Sequence, residues 1–128
     1  MHDRIHQEQT LSASPRAVYD ALTTTATFGE MTSAPASIDP AEGGEFSLFG
    51  GMISGRNIEC VPGRRLVQAW RTKAWDEGVY SVVRFELHAE GSQTRIVLDH
   101  VGYPDGTGKH LDKGWHPNYW APLATLFA

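Results

Sequence analysis

The stretch Val79-Tyr80-Ser81-Val82-Val83-Arg84-Phe85-Glu86-Leu87-His88-Ala89-Glu90-Gly91-Ser92-Gln93-Thr94-Arg95-Ile96-Val97-Leu98-Asp99-His100-Val101-Gly102 decides the fold. It divides at Glu90-Gly91-Ser92, a turn signal, into two runs whose side chains alternate with period two. In the first run Ser81, Val83, Phe85 and Leu87 oppose Tyr80, Val82, Arg84 and Glu86. In the second, Ile96 and Leu98 share a face with His100, and Arg95, Val97 and Asp99 share the other. Two strands joined by so short a turn pair antiparallel. With one face apolar and the other largely charged, they belong to a sheet covered on one side only.

Upstream, turn signals at Gly50-Gly51, Pro62-Gly63 and Asp76-Glu77-Gly78 mark out further strands. The predicted meander therefore runs through residues 45–49, 52–61, 64–73, 79–89 and 93–102. Nearer the N-terminus, Ile5, Gln7, Gln9 and Leu11 alternate with polar residues and predict a sixth strand. Ser14-Pro15 supplies an N-cap oxygen and then a residue already fixed at helical φ, so a helix of about ten residues starts there. Thr23-Thr24-Thr25 weakens that helix by β-branching, and residues 26–40 read as a short helical turn followed by a loop.

Downstream, Leu111, Trp115, Tyr119, Leu123 and Leu126 recur at spacings of three and four and predict a long amphipathic helix from His110 to the end. This helix is the missing cover for the sheet. Pro117 and Pro122 fall inside it, and an interior proline removes a backbone hydrogen bond and clashes with the carbonyl four residues earlier. A kink near Asn118, or a helix beginning only around His116, is expected. The resulting order, β-α-(α)-β-β-β-β-β-α, is α+β: a helix-grip arrangement in which a curved six-stranded antiparallel sheet holds a long C-terminal helix.

The 128 residues suit one domain spanning 1–128. A net charge of −4 with no Lys/Arg run argues against nucleic acid and anionic membrane as partners. No apolar run is long enough to span a bilayer, and Met1-His2-Asp3-Arg4 lacks the order of a secretory signal, so a cytoplasmic location is expected. The single cysteine, Cys60, reads as a core strand position compatible with a reducing compartment.

Several local sequences, in order, are similar to the START-like or SRPBCC superfamily. Within it they resemble the C-terminal domain of the activator of the ninety-kilodalton heat-shock chaperone's ATPase. The matching pieces are Ser14-Pro15, Val18-Tyr19, Ser33-Ala34-Pro35-Ala36, Gly43-Gly44-Glu45-Phe46 and Ser54-Gly55-Arg56. They continue with Val61-Pro62-Gly63-Arg64-Arg65-Leu66-Val67, Trp70-Arg71, Ala74-Trp75, Glu77-Gly78, Gln93-Thr94-Arg95 and Gly114-Trp115. The resemblance implies the helix grip, a space between sheet and helix, and a chaperone or other protein as partner. Pro117 and Pro122 depart from it, and the chain has no room for the separate N-terminal domain of the eukaryotic co-chaperone.

On this reading Phe46, Trp70, Phe85, Trp115 and Tyr119 lie on the inner faces and are the candidate walls of a small-molecule site. The same aromatics fill a packed core equally well, and a connected space of roughly 300 Å³ or more is what separates the two cases. Arg56 shares parity with Ile58 and Cys60, which directs its guanidinium inward to fork onto a carboxylate-bearing ligand, into an internal ion pair with Glu45 or Asp99, or, as a snorkelling side chain, out to solvent. His100, beside Leu98 and Ile96, either faces the cavity or is satisfied by backbone or water.

No machinery for catalysis is legible. There is no Gly-x-Ser-x-Gly elbow, no Cys/His constellation around Cys60 and no Gly-rich loop before a helix. The six histidines form no ligand motif, with His2 and His6 at the terminus, His110 and His116 six apart and His88 facing solvent, so neither a metal nor a cofactor is expected. A non-catalytic domain binding a small hydrophobic ligand leads. A protein-interaction module acting on a chaperone ATPase comes next, then a cyclase-like enzyme using His100, Arg56 or Tyr119. Trp75, Trp120 and Phe127 are candidates for an exposed apolar patch, which leaves monomer and homodimer open.

Overall fold

The computed structural model describes residues 4–128. The strand at the N-terminus, β1 (Arg4–Leu11), is followed by α1 (Pro15–Thr23), where the Ser14 hydroxyl accepts from the Ala17 amide at 3.2 Å and Pro15 opens the first turn. His6 sits within β1 rather than on a frayed end, and His2 lies outside the described residues.

Residues 25–32 form a second full helix, α2 (Thr25–Thr32), where the sequence suggested a single turn. It is fastened at its start by Thr25 Oγ1, which accepts from the Ile38 amide at 2.8 Å. This holds Ser37 and Ile38 extended as a two-residue strand, β2 (Ser37–Ile38), paired with β3 (Glu45–Leu48). The remaining strands are β4 (Ile53–Val61), β5 (Arg65–Thr72), β6 (Ser81–Glu90) and β7 (Gln93–Val101). Together they form one antiparallel sheet of seven strands in the order β1-β7-β6-β5-β4-β3-β2, the expected meander with β2 added at one edge.

The two faces differ as the alternation required. Val83, Phe85, Leu87, Ile96 and Leu98 are buried, whereas Arg84 donates to Asp99 at 2.8 Å and Arg95 to Glu90 at 2.9 Å on the open face. Trp70 on β5 lies opposite Gly55 on β4, and a side chain at Gly55 would overlap the Ala69 carbonyl oxygen and stand 2.8 Å from the Phe46 ring. Only glycine permits that approach.

Covering the inner face is a continuous helical run. It begins as α3 (Gly108–Trp115), widens to a π-turn at His116–Trp120 and resumes as α4 (Ala121–Leu126). The amide of Ala121 reaches back five residues to the His116 carbonyl, so the run passes through Pro117 and Pro122 without a break. The expected disturbance near Asn118 is thus a π-turn, which spares the strained i→i−4 contacts that a proline would make. Gln7 on β1 clamps this run to the sheet. Its amide nitrogen donates to the Asp112 carbonyl at 2.8 Å, and its oxygen accepts from the Trp120 indole at 2.6 Å. Trp120 is accordingly buried, and Trp75 and Phe127 are partly buried against the core, so these three do not form the exposed patch their composition suggested.

Candidate functional site

Between the helical run and the sheet lies a cleft of about 480 Å³, and Trp70, Trp75, Trp115, Tyr119 and Phe49 form its aromatic walls. Met52, Ile53 and Leu111 extend the apolar lining, and Thr72, Thr107, His110 and Asn118 add its polar positions. Phe49 stands at φ 53°, followed by Gly50 at 66° and Gly51 at 94°. A left-handed aromatic residue is costly, and here it sets the Phe49 ring edge-on against Phe28 at 5.7 Å and Tyr119 at 6.0 Å.

Trp70, Trp115 and Tyr119 are therefore brought together. Trp115 stacks on Trp70 with ring centres 5.7 Å apart and lies 4.4 Å from Tyr119. Phe85 stands behind them, edge-on to Trp115 at 5.8 Å, and Phe46 is buried beneath Gly55; neither lines the cleft. Phe49, Met52 and Trp75 are lining residues that strand alternation did not single out, because they sit on loops and at strand ends where period two gives no signal.

Arg56 lies on the other side of the sheet. Its guanidinium is exposed, donating to the Gly43 carbonyl at 3.0 Å and approaching Glu45 at 3.4 Å. The inward reading fails because β4 carries a bulge between Asn57 and Glu59 that inverts the alternation. Asn57 is buried and Ile58 exposed, while Cys60, half-buried and unpaired as a thiol, packs on the core. Arg56 thus shares a face with Ile58 but not with Cys60.

His100 is fully buried behind Trp70, with ring centres 4.9 Å apart. Ser81 spends its only proton on the Trp70 carbonyl at 3.0 Å, so the 2.7 Å contact between its oxygen and His100 Nε2 requires the imidazole to donate. The ring is the neutral Nε2–H tautomer, with Nδ1 bare and unpartnered, and burial pushes its pKa down to about 4. His100 is tied to the Trp70 backbone through Ser81 and does not line the cleft; its partner is a side chain, not the backbone or water expected, and Nδ1 has none.

The Trp70 indole nitrogen and the Tyr119 hydroxyl are fully buried behind the cleft and close no well-aligned hydrogen bond. Burial raises the Tyr119 pKa, an effect partly offset by the Trp70 N–H, which stands close enough to the hydroxyl to act as its hydrogen-bond donor. Among the described residues, no group of three or more His, Cys, Asp or Glu side chains is placed to hold a metal ion, and no helix is long and apolar enough to cross a membrane.

A seven-stranded antiparallel sheet closed over a C-terminal helical run, with an aromatic cleft between them, defines a helix-grip domain of the START-like class. The chain belongs to the family described as Activator of Hsp90 ATPase homolog 1-like protein, whose pattern matches residues 12–128. It is 27% identical over 124 residues to Activator of 90 kDa heat shock protein ATPase homolog 1 of Homo sapiens, covering 97% of this chain and 37% of that protein. Over 112 residues it is 30% identical to the corresponding homologue of Dictyostelium discoideum, covering 87% of this chain and 29% of that protein. The chain thus spans about a third of the length of these curated relatives. Among solved structures, an HSP90 activator from Plasmodium falciparum superposes with a TM-score of 0.91 at 24% identity, covering 96% of this chain and 94% of that one. The Aha1 dimer from Colwellia psychrerythraea superposes with a TM-score of 0.83 at 18% identity, covering 98% and 96%.

Proposed function

We propose that this chain is a non-catalytic binding domain that takes a small, largely apolar molecule into the cleft between its sheet and its C-terminal helical run. The observation that carries this reading is the cleft of about 480 Å³. That volume falls within the roughly 300 to 1,000 Å³ typical of small-molecule sites, and apolar walls with a few polar groups are their usual composition. Burial keeps His100 neutral, and the exposed Arg56 is on the far side of the sheet, so of the three residues that a cyclase-like reading would use only Tyr119 lines the cleft. Native mass spectrometry of the protein purified from its own host is the test. A co-purifying mass released on denaturation supports the reading; its absence, with no uptake of an apolar fluorescent probe, removes it.

The relatives' names favour a second reading, in which the chain modulates a heat-shock chaperone's ATPase as a protein-interaction module. The chain covers about a third of those curated relatives, so their whole activity does not carry over to it from the match alone. Chaperone ATPase rates unchanged at saturating protein would remove this second reading.

A further inference from the structure

Among the described residues, Gly114 is the glycine that neither the backbone nor close packing explains. Eight others take a left-handed φ, which disfavours any side chain. At Gly44, Gly55 and Gly108 an added Cβ would be forced against neighbouring atoms, and at Gly29 it would stand 3.4 Å from the Ala34 carbonyl oxygen. Gly114 instead lies in α3 with helical backbone, and the helical run continues past it to Leu126. Beyond the helix's own backbone, a Cβ there would meet only the Asn118 side-chain nitrogen, at an ordinary 3.5 Å. Glycine inside a helix is nonetheless less favourable than alanine, because it gives up the most backbone freedom and makes no side-chain contact.

The place of Gly114 in the cleft supplies a reason. From Thr107 to Tyr119 the helical run turns seven residues toward the cleft, at alternating steps of three and one, and Gly114 is the fourth of them. It is the centre of the helical wall. Leu111 and Trp115 on either side are buried, whereas Gly114 is partly exposed, so a side chain added here would enter the open space between helix and sheet. Among the described residues no Asp, Glu, Lys or Arg lines that space, which suits an uncharged occupant. Room at the middle of a wall serves a molecule that is broad at its middle. A slender chain passes beside a methyl group, and a ring system does not.

We infer that Gly114 sets the width of the cleft and thereby selects an uncharged ring system over a slender alkyl chain of similar length. This rests on the cleft being a ligand site and goes further by naming the residue that fixes which shape it admits.

The test sets stability against uptake in Gly114→Ala and Gly114→Leu, both of which introduce good helix formers. Urea denaturation without ligand reads the first quantity. Gly114→Ala should raise the folding equilibrium constant by about two- to fivefold, the usual difference between the two residues in a helix interior. Titration with N-phenyl-1-naphthylamine, followed by its fluorescence, reads the second. Affinity should fall by about fivefold or more in Gly114→Ala and be lost in Gly114→Leu, because each adds volume where the ring must lie. For 1-octanol, followed on the indole N–H resonances of the tryptophans that line the cleft, Gly114→Ala should cost less than about twofold. Higher stability joined to weaker, shape-selective uptake is a pattern that a merely structural glycine does not give. Lower stability in Gly114→Ala would mean that the glycine serves the π-turn after it, and would overturn the inference. Unchanged affinity for the ring probe, equal losses for ring and chain, or binding of the chain alone by the wild type would also overturn it, while the cleft remains a ligand site. If the wild type binds neither molecule, the cleft reading falls and this inference falls with it.

Discussion

His100 couples stability to pH across the mildly acidic range. Its imidazole is fully buried, bonded to Ser81 through Nε2 and surrounded by Trp70, Trp115 and Tyr103, and burial lowers its pKa from 6.5 to about 4. Between those two values the unfolded chain binds a proton that the folded chain refuses. Stability from this group is therefore complete above pH 6.5, falls as pH drops through the window, and levels off below pH 4. Integrating the linkage gives a loss of about 2 kcal/mol between pH 7 and pH 5, rising to about 3 kcal/mol by pH 4. His6 works in the opposite sense. Hydrogen bonds to Asp99 and Glu8 raise its pKa, so its contribution is present at low pH and lost as pH rises through that raised value. Burial pushes Asp99 up, but bonds from His6 and Arg84 leave it below the usual carboxylate range, so its contribution is lost only in stronger acid. Urea denaturation of the wild type and of His100→Gln at pH 7, 6, 5 and 4.5 isolates the His100 part, since His6 and Asp99 occur in both proteins. The wild type should lose about 2 kcal/mol more than the variant between pH 7 and 5, whatever the variant costs at pH 7. Parallel curves for the two proteins would refute the argument.

Four further outcomes follow from particular contacts. Gly55→Ala drives a methyl into the Ala69 carbonyl, a backbone atom that cannot swing aside, and should cost about 3 kcal/mol or more in urea, or abolish soluble expression. Gln7→Ala leaves the buried Trp120 indole N–H without its acceptor and frees the Asp112 carbonyl; a loss of about 2 kcal/mol is expected, with faster amide exchange in residues 108–120 than in β6. Arg56→Ala should change stability by less than about 0.5 kcal/mol and leave ligand uptake untouched, because its ion pair with Glu45 is largely exposed; loss of uptake would return Arg56 to the site. Phe49→Gly removes both a cleft wall and a left-handed strain, so ligand affinity should fall several-fold in a titration while stability falls by less than the roughly 3 to 5 kcal/mol usual when a core phenylalanine is truncated.

The sheet was legible wherever alternation ran uninterrupted. Residues 81–87 and 94–100 alternate so regularly that their inward set, Val83, Phe85, Leu87, Ile96, Leu98 and His100, follows from period two alone. Arg56 was misread for the complementary reason: a bulge adds one residue to one strand and leaves no mark in composition, so every parity argument carried across Ile58 inverts. Strand β2 was missed because two residues hold no period, and its pairing depends on Thr25, thirteen positions away. Of the site, Trp70, Trp115 and Tyr119 were legible as inward aromatics. The open volume beside them was not, since a filled core and a cleft use the same side chains.

The helical run shows how a signal can be present and still be read for something else. Leu111, Trp115, Tyr119 and Leu123 are all buried and recur at a strict spacing of four. Around a helix of 3.6 residues per turn, each such step drifts by about 40°, so three steps carry Leu123 about 120° away from the face that holds Leu111. A continuous α-helix therefore cannot bury all four against one surface. The π-turn at His116–Trp120 closes over five residues instead of four, takes back part of that drift and keeps Tyr119 and Leu123 facing inward. Pro117 lies inside this turn and Pro122 just after it, at the start of α4, where the wider loop accepts residues that the tighter helix would reject. Spacing and prolines thus point to one device, and its consequence is local. The π-turn places the Tyr119 ring against Trp115 on the cleft wall and its hydroxyl near the Trp70 indole, which makes the helical irregularity part of what shapes that wall.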